Sequence, residues 1–101
     1  MTLSRVQDIV IQKMRRDPRI APFMLDEILL HLRIGEPDVA KLLLRDLVHA
    51  TIGFEGLAER LDKSSKSLHR MLSVRGNPTT SNLSAILACV SEHLEESTES
   101  A

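Results

Sequence analysis

The 101-residue sequence contains no tryptophan and no tyrosine, and Phe23 and Phe54 are its only phenylalanines. Leu, Ile, Val and Met must therefore fill the core, which suits helices packed on helices better than an aromatic-rich sheet. Cys89 stands alone, which excludes an intramolecular disulfide and fits a reducing compartment. No apolar run approaches the roughly 18 residues of a membrane span, and the N-terminus lacks the apolar stretch of a signal peptide. The expected location is the cytoplasm. A strong net charge is missing too: 13 basic against 14 acidic residues leave −1, which excludes a generally basic protein that coats nucleic acid. No segment alternates with period two, so no sheet is expected, and no internal repeat is found. The length suits one domain with a single core.

Catalytic and metal signatures are equally sparse. There is no Gly-x-Ser-x-Gly, no phosphate loop and no paired-carboxylate arrangement. The neighbouring acids Asp26-Glu27 and Glu95-Glu96 point to different sides of a helix. Cys89 and His93 have the four-residue spacing of two zinc ligands on one helix. Nothing nearby supplies the remaining ligands, and Cys89 lies among Ile86, Leu87 and Val90, the setting of a buried small residue. His31 and His49 are lone and read as structural or exposed. The expectation is a protein that is not an enzyme and holds neither cofactor nor metal.

What is present is a chain cut by breakers into six helical pieces. Ser4 to Arg16 carries Val6, Ile9, Val10 and Met14 near the period of 3.6 and stops before Asp17-Pro18. Ile20 to Arg33, with Pro22 in its first turn, places Phe23, Met24, Ile28, Leu29 and Leu32 on one face and ends at Gly35. Pro37 opens a helix to about Ala50 through Val39, Leu42, Leu43, Leu47 and Val48, which Gly53 terminates. Its apolar surface is wide: a central core helix, or one whose Leu44 or a neighbour continues into a subunit interface. Phe54 to Leu61, Ser65 to Leu72, and Thr80 or Ser81 to about Leu94 follow. Gly76 and Pro78 force a loop before the last of these. Residues 1–16 thus form an N-terminal helix, 17–94 the main domain, and 95–101 an acidic tail with no apolar period, expected to fray.

Charge is polarised along the chain. Between Arg60 and Arg75 there are five basic residues (Arg60, Lys63, Lys66, Arg70, Arg75) against one acid, Asp62, for a local +4. From Ser91 to Ala101 there are four Glu and no Lys or Arg, for a local −4.

The basic stretch coincides with a crossing of two short helices. Such a crossing needs a small residue at the closest approach, which Ala58 supplies, and apolar residues to lock it: Leu57, Leu61, Leu68 and Met71. Counted from Phe54, these occupy places four, five, eight, fifteen and eighteen, the spacing of a DNA-binding helix-turn-helix from Phe54 to Ser73. The ninth place, where the turn wants a positive φ and usually Gly, is Asp62, which tolerates that region better than most residues. Ser64 is suited to N-cap the second helix. With Leu68, Met71 and Leu72 inward, Lys66, His69, Arg70 and Ser73 face outward, and Ser65 and Ser67 occupy the exposed first turn. This face of hydroxyls and long donors, free of acids, can approach phosphates and offer donors to guanine O6 and N7. Arg70 is the first candidate for a base contact, then Lys66 and Ser65. The loop from Arg75 through Asn77 and Thr79 to Thr80 adds a cation, hydroxyls and free backbone N–H groups suited to phosphate.

From Asp17 onward the chain resembles the addiction-module antidote proteins of the HigA type, within the Xre or lambda-repressor-like superfamily. The likeness rests on Asp17-Pro18-Arg19-Ile20-Ala21, Gly35-Glu36-Pro37-Asp38, Leu44-Arg45-Asp46-Leu47-Val48 and Leu57-Ala58-Glu59. Its most specific part is Ser64-Ser65-Lys66-Ser67-Leu68-His69-Arg70-Met71-Leu72-Ser73, followed by Gly76-Asn77-Pro78-Thr79 and Leu83 onward. The resemblance implies an all-α repressor-like domain of about five helices with an extra N-terminal helix. It implies operator binding as a homodimer and, in toxin–antitoxin members, neutralisation of an RNA-cleaving toxin of the RelE type. His69 departs from the frequent Tyr of that family, and Asp62 from its frequent Gly.

The expectation is a transcriptional regulator that binds double-stranded operator DNA as a homodimer. The alternative is a protein-interaction module of the same fold that mainly holds a toxin or other partner. Two apolar surfaces suit dimerisation: the N-terminal helix through Val6, Ile9, Val10 and Met14, and the last helix through Leu83, Ile86, Leu87, Val90 and Leu94. The N-terminal one is favoured, because the resembled domain closes its core without residues before Asp17.

Overall fold

Most breakers in the sequence fall at or between helix ends, while Pro22 and Gly56 lie inside helices. The computed structural model describes the backbone of residues 2–100 and the side chains of residues 6–97. It has six helices and, among the described residues, no strand: α1 (Thr2–Arg16), α2 (Ile20–Arg33), α3 (Pro37–Ala50), α4 (Gly53–Leu61), α5 (Ser65–Met71) and α6 (Thr80–Ser100). The protein is all-α.

The local reasons are visible at the junctions. Gly35, at φ +80°, closes α2 with two backbone bonds, Gly35 N–H to Leu32 O (3.2 Å) and Glu36 N–H to His31 O (2.7 Å). A left-handed residue permits this double bond, and glycine adopts it without a Cβ clash. Pro37 then occupies the first turn of α3, where its missing N–H costs nothing. Asp62 ends α4 in the left-handed conformation (φ 52°, ψ 47°), with the N–H groups of Asp62 and Lys63 both returning to Ala58 O.

The core is aliphatic. Ile28, Leu44, Leu47, Val48, Leu57, Leu68, Leu72, Ile86 and Val90 are fully or almost fully enclosed, drawing on five of the six helices. Leu44 is therefore a core residue, not an interface one, and the exposed member of the Leu42-Leu43-Leu44 run is Leu42. Two features add to the sequence reading. Helix α1 is no appendage: Met14, only 3% exposed, belongs to the core, and Arg15 donates to His49 O (2.9 Å). The acidic segment after Leu94 continues α6 as helix to Ser100. The Arg60–Glu96 ion pair (2.7 Å) ties its beginning to α4. Side chains beyond Ser97, with the end of the acidic tail, lie outside the described residues, as do Met1 and Ala101 altogether. Among the described residues no helix is long and apolar enough to cross a membrane.

Candidate nucleic-acid interface

Helix α5 has only seven residues, too short to persist alone, so its placement comes from packing and caps. Leu68 (0% exposed) and Leu72 (2%) anchor its inner side to the core. Ser64 caps it, with its Oγ accepting from Ser67 N–H at 3.1 Å. These fix the rotation of the helix and leave Lys66 and Arg70, one turn apart, exposed on the opposite side. Ala58 is half-buried where α4 packs beside α5, and Leu57 is fully enclosed.

The ten residues singled out from sequence fall into four sets, with Ser73 belonging to two of them. Ser67, Arg70, Ser73, Arg75 and Asn77 line one open crevice of about 470 Å³ between the α5 surface and the loop that follows it. Its polar groups are donors on flexible stems and hydroxyls, with no carboxylate among the lining residues. Lys66 stands exposed on the same helix, and Ser65 is half-buried in its first turn.

Three hydroxyls have local backbone partners. Ser64 caps α5, Ser73 Oγ donates to Arg70 O (2.7 Å), and Thr79 Oγ1 accepts from Asn82 N–H (3.1 Å) at the start of α6. They fix the backbone at both ends of α5 and at the start of α6. His69 stands apart from the rest. Its ring stacks on the buried Phe54 (centroids 3.8 Å, planes 17° apart), and His49 flanks the same phenylalanine at 4.9 Å. Burial pushes the His49 imidazole below its ordinary pKa; the nearby His69, Arg45 and Arg15 act in the same direction and Asp8 opposes them.

One contributor, Lys41, escapes a reading of side-chain pattern, and Gly76, read as a loop breaker, has a packing role besides. Lys41, only 8% exposed, sends its ammonium from α3 to the carbonyls of Ser73 (3.2 Å), Val74 (3.4 Å) and Gly76. Gly76 packs its backbone on the end of α5. A Cβ there would lie 2.6 Å from Met71 O and closer still to Arg70 O, so a side chain would force the loop away.

The described residues hold no group of three or more His, Cys, Asp or Glu placed to bind a metal ion. Burial raises the Cys89 thiol pKa, the opposite of an activated thiolate. Comparison with known proteins returns nothing: no family model matches the chain, and no curated protein or solved structure is significantly similar to it.

Proposed function

We propose that the protein is a sequence-specific DNA-binding transcriptional regulator with a lambda-repressor-like fold, acting in the cytoplasm as a homodimer. Helix α5 enters the major groove, Arg70 and Lys66 read base edges, and Arg75, Asn77 and the loop backbone meet phosphates. Within this reading its biological role is the antitoxin and autorepressor of a toxin–antitoxin module, with a RelE-type toxin as protein partner. The observation that carries the DNA reading is the orientation of α5. Its apolar residues are consumed by the core, and its exposed side joins Arg70 to Arg75 and Asn77 across one crevice free of acids.

Selection from a randomised duplex pool, followed by titration of the selected duplex at rising salt, tests it. Affinity should fall steeply with salt, because each neutralised phosphate releases counterions. A protein that selects no sequence is not this regulator.

A second reading has its own observation. Helix α2 exposes Phe23 (71%) and Leu29 (47%), and Ile34 (56%) follows at its C-cap, apolar surface suited to a protein partner. Salt-insensitive binding of a toxin without DNA binding would favour that protein-interaction role.

A further inference from the structure

We infer that Lys41 is the positioning residue of the DNA-facing loop: its buried ammonium fixes the backbone of Ser73 to Gly76 and thereby aims Arg75 and Asn77. The inference rests on the DNA reading for its purpose and on the structure for its geometry. The stretch 73–79 lies outside regular helix, so its backbone groups need partners other than a ladder. Burial holds it only at the half-buried Ser73, Gly76 and Pro78, because Val74 is 86% exposed and Arg75 and Asn77 are exposed too. Three loop carbonyls instead converge on one ammonium, a cluster of partial negative charges that would repel one another without a cation among them. Asp38 Oδ1, 3.6 Å from the same nitrogen, supplies the countercharge from the solvent side. Gly76 closes the arrangement, donating its N–H to Ser73 O (3.0 Å) while its own carbonyl accepts from Lys41.

The stem of Lys41 shares a crevice of about 210 Å³ with Ile28, Leu44 and Leu83, so the ammonium is mounted on the core and not on a mobile surface. A lysine this enclosed is expensive to bury unless its donors are satisfied, and here the loop is what satisfies them. The consequence for recognition is mechanical. Arg75 lies between Val74 and Gly76, two of the three residues whose carbonyls are held, so its Cα has little freedom, and only its side chain need be ordered on DNA.

The test uses the full chain carrying Lys41→Met, which keeps the apolar stem and removes the charge, with Lys41→Gln as a second variant should the first fail to fold. Circular dichroism establishes that the helices persist. Amide hydrogen exchange at Ser73 and Gly76, whose N–H groups are bonded to Arg70 O and Ser73 O, should accelerate about tenfold or more while the core amides of α3 keep their protection. Against the duplex that the wild-type protein selects, affinity should fall about tenfold, the scale of a lost charge-assisted bond. The salt dependence should also become shallower. Arg75→Ala should then cost much less in the Lys41→Met background than in the wild type, a non-additivity that a general loss of stability would not produce. Unchanged loop exchange, or an Arg75→Ala effect of equal size in both backgrounds, overturns the assignment. If the wild-type protein selects no duplex, the DNA reading fails, and the exchange measurement still decides whether Lys41 fixes the loop.

Discussion

Lys66 and Arg70 leave α5 one turn apart and exposed, so removing either should separate function from folding. Arg70→Ala or Lys66→Ala should cost about 1–3 kcal/mol in specific DNA affinity where the side chain reads a base. Chemical denaturation should shift by no more than about 0.5 kcal/mol, because neither side chain is packed. Unchanged binding by both variants would remove these two residues from the interface. Asp62 makes the complementary case, a residue whose backbone matters more than its side chain. At φ 52° a β-branched residue is strained, so Asp62→Val should destabilise the fold by about 1–2 kcal/mol, whereas Asp62→Gly should lose nothing. Thermal melts of the two variants compare them directly, and equal melting temperatures would contradict the account of the turn.

At the scale of the element, the packing of α5 decides where its outer residues point. Leu68→Ala should leave a cavity and cost about 2–5 kcal/mol, and Ala58→Leu should overpack the α4–α5 crossing at about 1–3 kcal/mol. These elements were legible in the sequence because Pro37, Gly35, Gly53, Gly76 and Pro78 punctuate it, and because Leu57, Leu68 and Leu72 recur at helical spacing. Lys41 was not legible. A lone lysine on an amphipathic helix reads as surface, and its partners are backbone carbonyls 32 to 35 residues away that no side-chain pattern announces. The stacking of His69 on Phe54 was hidden likewise, since His69 occupies an outward position and still reaches a buried ring through its own length. That joint between α3, α4 and α5 carries a pH dependence. His49 has its pKa lowered in the fold, so the unfolded chain binds more protons as pH drops through the ordinary value of 6.5. Stability contributed by neutral His49 is fully present above that value and is lost as pH falls below it. Asp46, with its pKa raised by burial, acts with the opposite sign in a lower window, favouring the fold as pH falls towards 3.8. The melting temperature should therefore decline below pH 6.5, and His49→Gln should flatten that decline; an unaltered profile would exclude His49 as its source.

For the whole molecule, the question is what surface remains for a second copy once the core has taken its share. One short recognition helix covers too little DNA for selective binding, so the proposed regulator needs two copies on half-sites about 34 Å apart. Helix α6 has little to offer, because Ile86 and Val90 are wholly enclosed and Leu83, Leu87 and Leu94 pack against the core. Helix α1 is different. Met14 is spent inward, and Val10 packs behind it, while Val6 and Ile9 remain 53% and 54% exposed, one turn apart on the helix surface. Deleting residues 1–16 would open the core at Met14 and confound assembly with stability, so charged substitutions are the sharper tool. Ile9→Glu and Val6→Glu should leave the helical signal and melting temperature of the monomer nearly unchanged, since both positions are exposed. Sedimentation should show the wild type at twice the chain mass and the double variant at the chain mass. On a duplex carrying two half-sites, the variant should bind weakly and without cooperativity, because each copy then binds alone. A wild-type protein that stays monomeric at high concentration defeats the dimer; a double variant that stays dimeric moves the interface to another face, of which the surface with exposed Phe23 on α2 and Ile34 at its C-cap is the next to test.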